Sequence, residues 1–312
     1  MSNFKLVFRI ANIKNKRYRI KPTTALCILI KMTKPVILQV LAFLAAIHLS
    51  SAMAPFKRPS MLPAIPRGGA GPLDPTALAK VLGGACLIQG AQFALAPKMD
   101  TLYGGMEVVN DCNAKTLRRI GLSVVNMGVH IYCLLFKGYD LKVSTTINAL
   151  MWMADAISSL LNNESETIGP SKAGDVSILA FNSMVAYSAL NDAPWFGTAL
   201  KSNAVFWFVS ALSCLVSPSL GIKLWDVKGD DELTPGCISC IGCSIANVST
   251  LLASLAWGVD PLTAVGHACV ATAILDVKTF FFAPEVDKLG FNKALLGIWP
   301  CFAAVTAASI LM

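Results

Sequence analysis

The chain has 312 residues, of which 55% are hydrophobic and 14% charged, with a mean hydropathy of +0.61. A water-soluble protein of this size needs far more polar surface than that to cover its core, so the composition reads as an integral membrane protein. The net charge of +8 does not point to nucleic acid: residues 1–72 hold twelve Lys or Arg and no acid, and the remainder is mildly acidic.

The first predicted element is a leader, 1–52. Within it, "MTKPVILQVLAFLAAIHLSSAMAPF" (32–56) has the anatomy of a secretory signal peptide. Lys34 supplies the charge, 36–47 the apolar region and Ser50-Ser51-Ala52 the small-residue cleavage site. Either translation begins at Met32, or the segment is an uncleaved anchor behind a basic tail. Residues 53–75 follow, rich in Pro and Gly and basic, as a linker or a transit-like second address. A two-part leader of this kind resembles those that send proteins to plastids of secondary origin. Here Met53 stands after the cleavage site, where such leaders usually carry Phe. Entry by the secretory pathway is therefore expected, ending in a plastid membrane or in an endomembrane or plasma membrane.

From residue 76 the chain predicts an all-α integral membrane fold with eight spans. These run over 78–97, 118–137, 141–162, 174–190, 199–218, 237–257, 262–282 and 292–312. Each is near the 20 residues that cross a hydrocarbon core of about 30 Å. Shifting the second half back by 121 residues aligns it with the first without a gap. "IGLSVVNMGVHIYCLLF" (120–136) then lies over "IGCSIANVSTLLASLAW" (241–257). The same shift pairs Lys80 with Lys201, Pro97 with Pro218, Asp155 with Asp276, Glu164 with Glu285 and Gly169 with Gly290. Rare polar, Gly and Pro matches in one register predict two four-helix repeats, 76–190 and 191–312. Four spans return the chain to its starting side, so the two copies share one orientation. The loops after the first, third, fifth and seventh spans, with their flanks, hold about ten Lys or Arg, against about seven on the other side. The positive-inside tendency puts the first set inward.

Ionisable residues within spans are costly and mark function by default. Asp155 and Asp276 fall roughly 13 Å from the inner surface, and Asn126 and Asn247 roughly 10 Å deep on the preceding helix, at 1.5 Å per residue. Contacts Asn126–Asp155 and Asn247–Asp276 are expected, one per repeat. These four residues form the candidate intramembrane polar site. They serve either as interhelical hydrogen bonds or as a proton or ion relay facing a cavity, so the chain is expected to be an accessory or structural membrane protein or one that handles a small solute or proton. A membrane-embedded enzyme using both Asp as acid/base groups is the alternative. Lys278, two residues beyond Asp276, should point away from it.

Cys237, Cys240 and Cys243 have the spacing of a metal motif but align with Thr116, Arg119 and Leu122, so the shared architecture does not need them. No fourth ligand adjoins them; packing is the expected role. His130 and His267 are not matched by the shift and read as core residues. No nucleotide-binding glycine loop, serine-hydrolase elbow or His-rich box is present, so no metal or other cofactor is implied. Gly83, Gly84, Gly90, Gly121 and Gly242, with the many Ala and Ser, suit close helix packing, and the same small-residue faces could join homo- or hetero-oligomers within the lipid bilayer. "NES" (163–165) is a glycosylation pattern that should face inward and stay bare.

Each unit resembles the DoxX-like four-helix membrane proteins. The likeness rests on the "AP" at 96–97 after the first span, Gly121 and Asn126 early in the second, and Asp155 late in the third. It implies a four-helix bundle without a defined activity, here fused in tandem.

Overall fold

The computed structural model describes residues 74–95, 110–229 and 231–312. The leader, the linker up to residue 73 and Pro97 lie outside the described residues.

The described chain is all helical. Helix α1 spans Pro75–Leu95. Helix α2 spans Asp111–Ile131 and runs on through a π-helical turn, Tyr132–Phe136. Then come α3 (Leu141–Leu161), the short α4 (Glu164–Thr167), α5 (Lys172–Leu190) and α6 (Phe196–Val216). They are followed by α7 (Pro218–Trp225), α8 (Thr234–Ala256), α9 (Pro261–Phe282) and α10 (Pro284–Asp287). Two pieces, α11 (Lys293–Leu296) and α12 (Ile298–Leu311), end the fold.

Eight long helical stretches thus stand where spans were expected. Six are long and apolar enough to cross a membrane: Pro75–Leu95, Asp111–Phe136, Phe196–Val216, Thr234–Ala256, Pro261–Phe282 and Lys293–Leu311. Helices α3 and α5 reach the length but carry too many Ser, Thr, Asn and Asp to join them. Their polar side chains are turned inward, where α3 packs on α5.

Helix α2 begins seven residues before the expected 118. Asn110 caps it, its side chain accepting from Asn113 N at 2.8 Å. This places an oxygen against the otherwise unsatisfied first-turn amides. Lys115 and Arg119 are then carried into the interior rather than left at a boundary.

Helices α1 and α2 pack along each other, as do α6 and α8, α3 and α5, and α9 and α12. Helices α2 and α8 meet at the centre. The closest approaches are at glycine. A Cβ on Gly121 would lie 2.3 Å from Ala94 N, and one on Gly242 would lie 2.6 Å from Cys214 Cβ. Small residues are what let helix backbones come this near. Lys80 Nζ sits 5.2 Å over the Phe136 ring, and Lys201 Nζ 5.6 Å over the Trp257 ring.

Polar side chains are numerous in the interior and large apolar ones on the outside. Asn113, Asn126, Asp155, Asp175, Asn182, Ser159 and Ser249 are buried, whereas Ile88, Leu161, Val216 and Phe282 are each more than 70% exposed. Exposed apolar side chains recur along α1, α5, α6 and α9 rather than forming one patch.

Candidate functional site

Asp155 lies on α3 at 1% exposure and is fully engaged by α2. Lys115 and Arg119 stand one turn apart on the same face of α2, so both reach it. Lys115 Nζ donates to Asp155 Oδ1 at 3.0 Å, and Arg119 Nε to Oδ2 at 2.7 Å. Arg119 Nη2 goes on to Asp175 Oδ1 on α5 at 2.7 Å, and Ser159 Oγ donates to Asp175 Oδ2 at 2.6 Å. Lys115 Nζ is also 2.7 Å from Glu164 Oε2, in an alignment that makes an ion pair without a directed hydrogen bond. Five charged groups thereby tie α2, α3, α4 and α5 together. Attraction at these distances is strong where water is excluded, and it offsets the penalty of desolvating each ion only because the partners are in place.

The expected Asn126–Asp155 contact is not made. Asn126 Nδ2 donates to Leu122 O of its own helix at 2.8 Å, and Asn148 Nδ2 donates to Asn126 O at 3.2 Å, so the register of α2 on α3 sets Asn126 beside Asn148, about two turns from Asp155. Lys115, Arg119 and Asp175 were not anticipated as site residues. The available signal was the i,i+4 spacing of the two cations on the helix before Asp155.

Asp276, on α9, meets a different environment. Asn247 Nδ2 donates to its Oδ1 at 3.4 Å, the expected contact, and Cys243 Sγ donates to the same oxygen at 3.0 Å. Both donors sit on one face of α8. No Lys or Arg among the described residues comes within ion-pair distance of Asp276. The reason is in the sequence: Gly236 and Cys240 stand 121 residues after Lys115 and Arg119. Lys278 turns away, as expected, and donates to Leu215 O at 3.2 Å.

Asp276 and Asn247 help line a cavity of about 110 Å³ whose other walls, including Leu82, Phe93 and Phe280, are mostly apolar. Asn247 Oδ1 is buried without a partner. The three cysteines of the opening of α8 are buried free thiols. Among the described residues no cluster of His, Cys, Asp and Glu could hold a metal ion. Cys243 is a hydrogen-bond partner of Asp276 and so more than a packing residue.

The two histidines tie neighbouring helices. His130 Nδ1 is 3.1 Å from Ser144 Oγ, joining α2 to α3, and His267 Nδ1 is 3.0 Å from Ser254 Oγ, joining α9 to α8. Both fit the core role expected for them.

At one end of the bundle the loop residue Asp231 links α2 to α8. Its Oδ1 accepts from Leu233 N at 3.0 Å, and from Thr234 N and Thr234 Oγ1, each at 2.8 Å. Its Oδ2 accepts from Asn113 Nδ2 at 2.8 Å and from Asn110 Nδ2. Thr234 Oγ1 also donates to Asn113 Oδ1 at 3.3 Å. Burial pushes the Asp231 carboxyl up, but the hydrogen bonds from Thr234, Asn113 and the backbone outweigh it and hold the group below its ordinary value.

No protein-family model, no curated protein and no solved structure matches the chain.

Proposed function

We propose that the chain is a multi-pass membrane protein made of two like-facing four-helix units, and that it exchanges a proton at Asp276 while a small solute occupies the adjoining cavity. The observation that carries this reading is the divergence of two aspartates 121 residues apart. Asp155 is neutralised by Lys115 and Arg119, whereas Asp276 has only Cys243, Asn247 and an apolar cavity beside it. A carboxyl without a counter-ion, beside open space, is free to take and release a proton. One held by two cations is not, and serves as a staple.

The membrane setting is supported by the six apolar helices and by the outward-facing Ile, Leu, Val and Phe. The duplication is supported by features that recur at the 121-residue interval. Lys80 over Phe136 matches Lys201 over Trp257, and Gly121 and Gly242 both mark a close helix crossing. Asn110 bonds Asp231 and Asn113 bonds Thr234, each pair being 121 apart. Equivalent residues of two units touch one another where both lie beside the axis that relates them. Entry by the secretory pathway follows in this reading from the 32–52 segment; a C-terminal fluorescent tag locates the protein directly.

The test is proton flux into vesicles carrying the purified chain, read by an enclosed pH dye. Asp276→Asn should abolish the chain-dependent flux. Flux equal to that of the unaltered chain would remove the proposal and leave a structural or accessory role, for which the closed ion pairs around Asp155 are the supporting observation. An acid/base enzyme using both Asp is not favoured, since Asp155 is closed off by its partners.

A further inference from the structure

A second interior space, separate from the Asp276 cavity, lies between α2, α3, α5, α6 and α8. It has a volume of about 30 Å³, room for about one or two water-sized particles. Four asparagines line it: Asn126, Asn148, Asn182 and Asn203, at 1%, 7%, 1% and 4% exposure.

In the first three the nitrogen is held on a backbone carbonyl. Asn126 Nδ2 donates to Leu122 O at 2.8 Å, Asn148 Nδ2 to Asn126 O at 3.2 Å, and Asn182 Nδ2 to Ile178 O at 2.8 Å. A backbone carbonyl can only accept, so each carboxamide is locked with its nitrogen on the helix and its oxygen left over. Asn126 Oδ1, Asn148 Oδ1 and Asn203 Oδ1 are buried without partners, and Asn182 Oδ1 receives no hydrogen bond. The hydroxyls in the wall are spent in the same way: Ser123 donates to Arg119 O, Thr145 to Leu141 O and Ser249 to Ala246 O. Ser144 donates to Leu141 O, so His130 Nδ1 donates to Ser144, leaving Nε2 as a further acceptor.

Buried acceptors left unmet are costly, about 1–3 kcal/mol each.

We infer that this asparagine cage binds a small, dehydrated monovalent cation of the size range from sodium to ammonium. Neutral amide and hydroxyl oxygens are the ligands that hard monovalent cations take in water-free sites. The site does not depend on Asp276.

The test measures the melting temperature of the purified full chain in nanodiscs, with sodium, potassium or ammonium chloride titrated against choline chloride at constant ionic strength. At least one of the three small cations should raise the Tm saturably, by about 5 °C or more at a hundredfold excess over Kd, while choline does not. The shift should disappear in Asn148→Leu and Asn182→Leu. In Asn148→Asp, which adds a charged oxygen, the midpoint should fall at least tenfold; this variant keeps the test decisive if a Leu variant fails to fold. The shift should survive Asp276→Asn. A Tm indifferent to all three cations, a shift undiminished in the Leu variants, or one lost with Asp276→Asn, overturns the inference; in the first case the space holds water alone.

Discussion

Arg119 is the side chain whose loss should damage the fold most. It sits at 6% exposure between Asp155 and Asp175, at 2.7 Å from each. Arg119→Met keeps much of the apolar volume and deletes the charge. Asp155 is then left with Lys115 alone, and Asp175 with Ser159 alone. Breaking a buried pair by removing one partner destabilises by about 3–5 kcal/mol. That corresponds to roughly two to three and a half powers of ten in the folding equilibrium. Denaturant titration in mixed micelles, followed by tryptophan fluorescence, measures it; Trp152 beside Trp207 supplies a buried reporter. Adding Asp155→Asn to Arg119→Met should cost less than the sum of the two single changes, because each removes the group that the other leaves unpaired. A loss below about 1 kcal/mol in Arg119→Met, or strict additivity in the double variant, would refute the claim that these charges hold one another in place.

Other outcomes are equally specific. Gly121→Ala puts a methyl 2.3 Å from Ala94 N and should destabilise the α1–α2 pair by about 1–3 kcal/mol, seen as a lower Tm. Acidification should weaken the α2–α8 link. Asp231 has its carboxyl held below the ordinary value in the fold, so its contribution is complete above about pH 4 and is lost as pH falls through the folded value. A Tm against pH profile should therefore lose part of its acid limb in Asp231→Asn. A membrane-permeant maleimide should reach the buried Cys237, Cys240 and Cys243 only after unfolding. Mass spectrometry of the labelled peptides reads this directly.

The helices were legible because lipid-facing and packed helices alike produce apolar runs of one length. The ends were less legible for an identifiable reason. A hydropathy reading stops at charge, so it began the second span at 118 and left Lys115 as a flank. In the fold, Asp155, Glu164 and Asp175 compensate these cations and the helix continues through them from Asp111. The Asn126–Asp155 contact failed for another reason: α2 and α3 pack in a register that sets Asn126 beside Asn148, about two turns from Asp155. Asn247–Asp276 was read correctly because α8 and α9 pack in a register that sets Cys243 and Asn247 beside Asp276. The polar helices α3 and α5 stood out less, since inward-facing Ser, Thr and Asn dilute a hydropathy average without exposing the helix to water. The asparagine cage could not be read at all. It draws one residue from each of four helices, and no spacing within a single helix announces it.

The most direct test of the account is the infrared spectrum of the purified chain in lipid, recorded through a pH titration. A protonated buried carboxyl should give a band that comes and goes with pH, that shifts when Cys243→Ala removes one hydrogen bond, and that is absent in Asp276→Asn. A titrating band that persists unchanged in Asp276→Asn would mean that the proton resides elsewhere, and that the unpaired aspartate is not the working group.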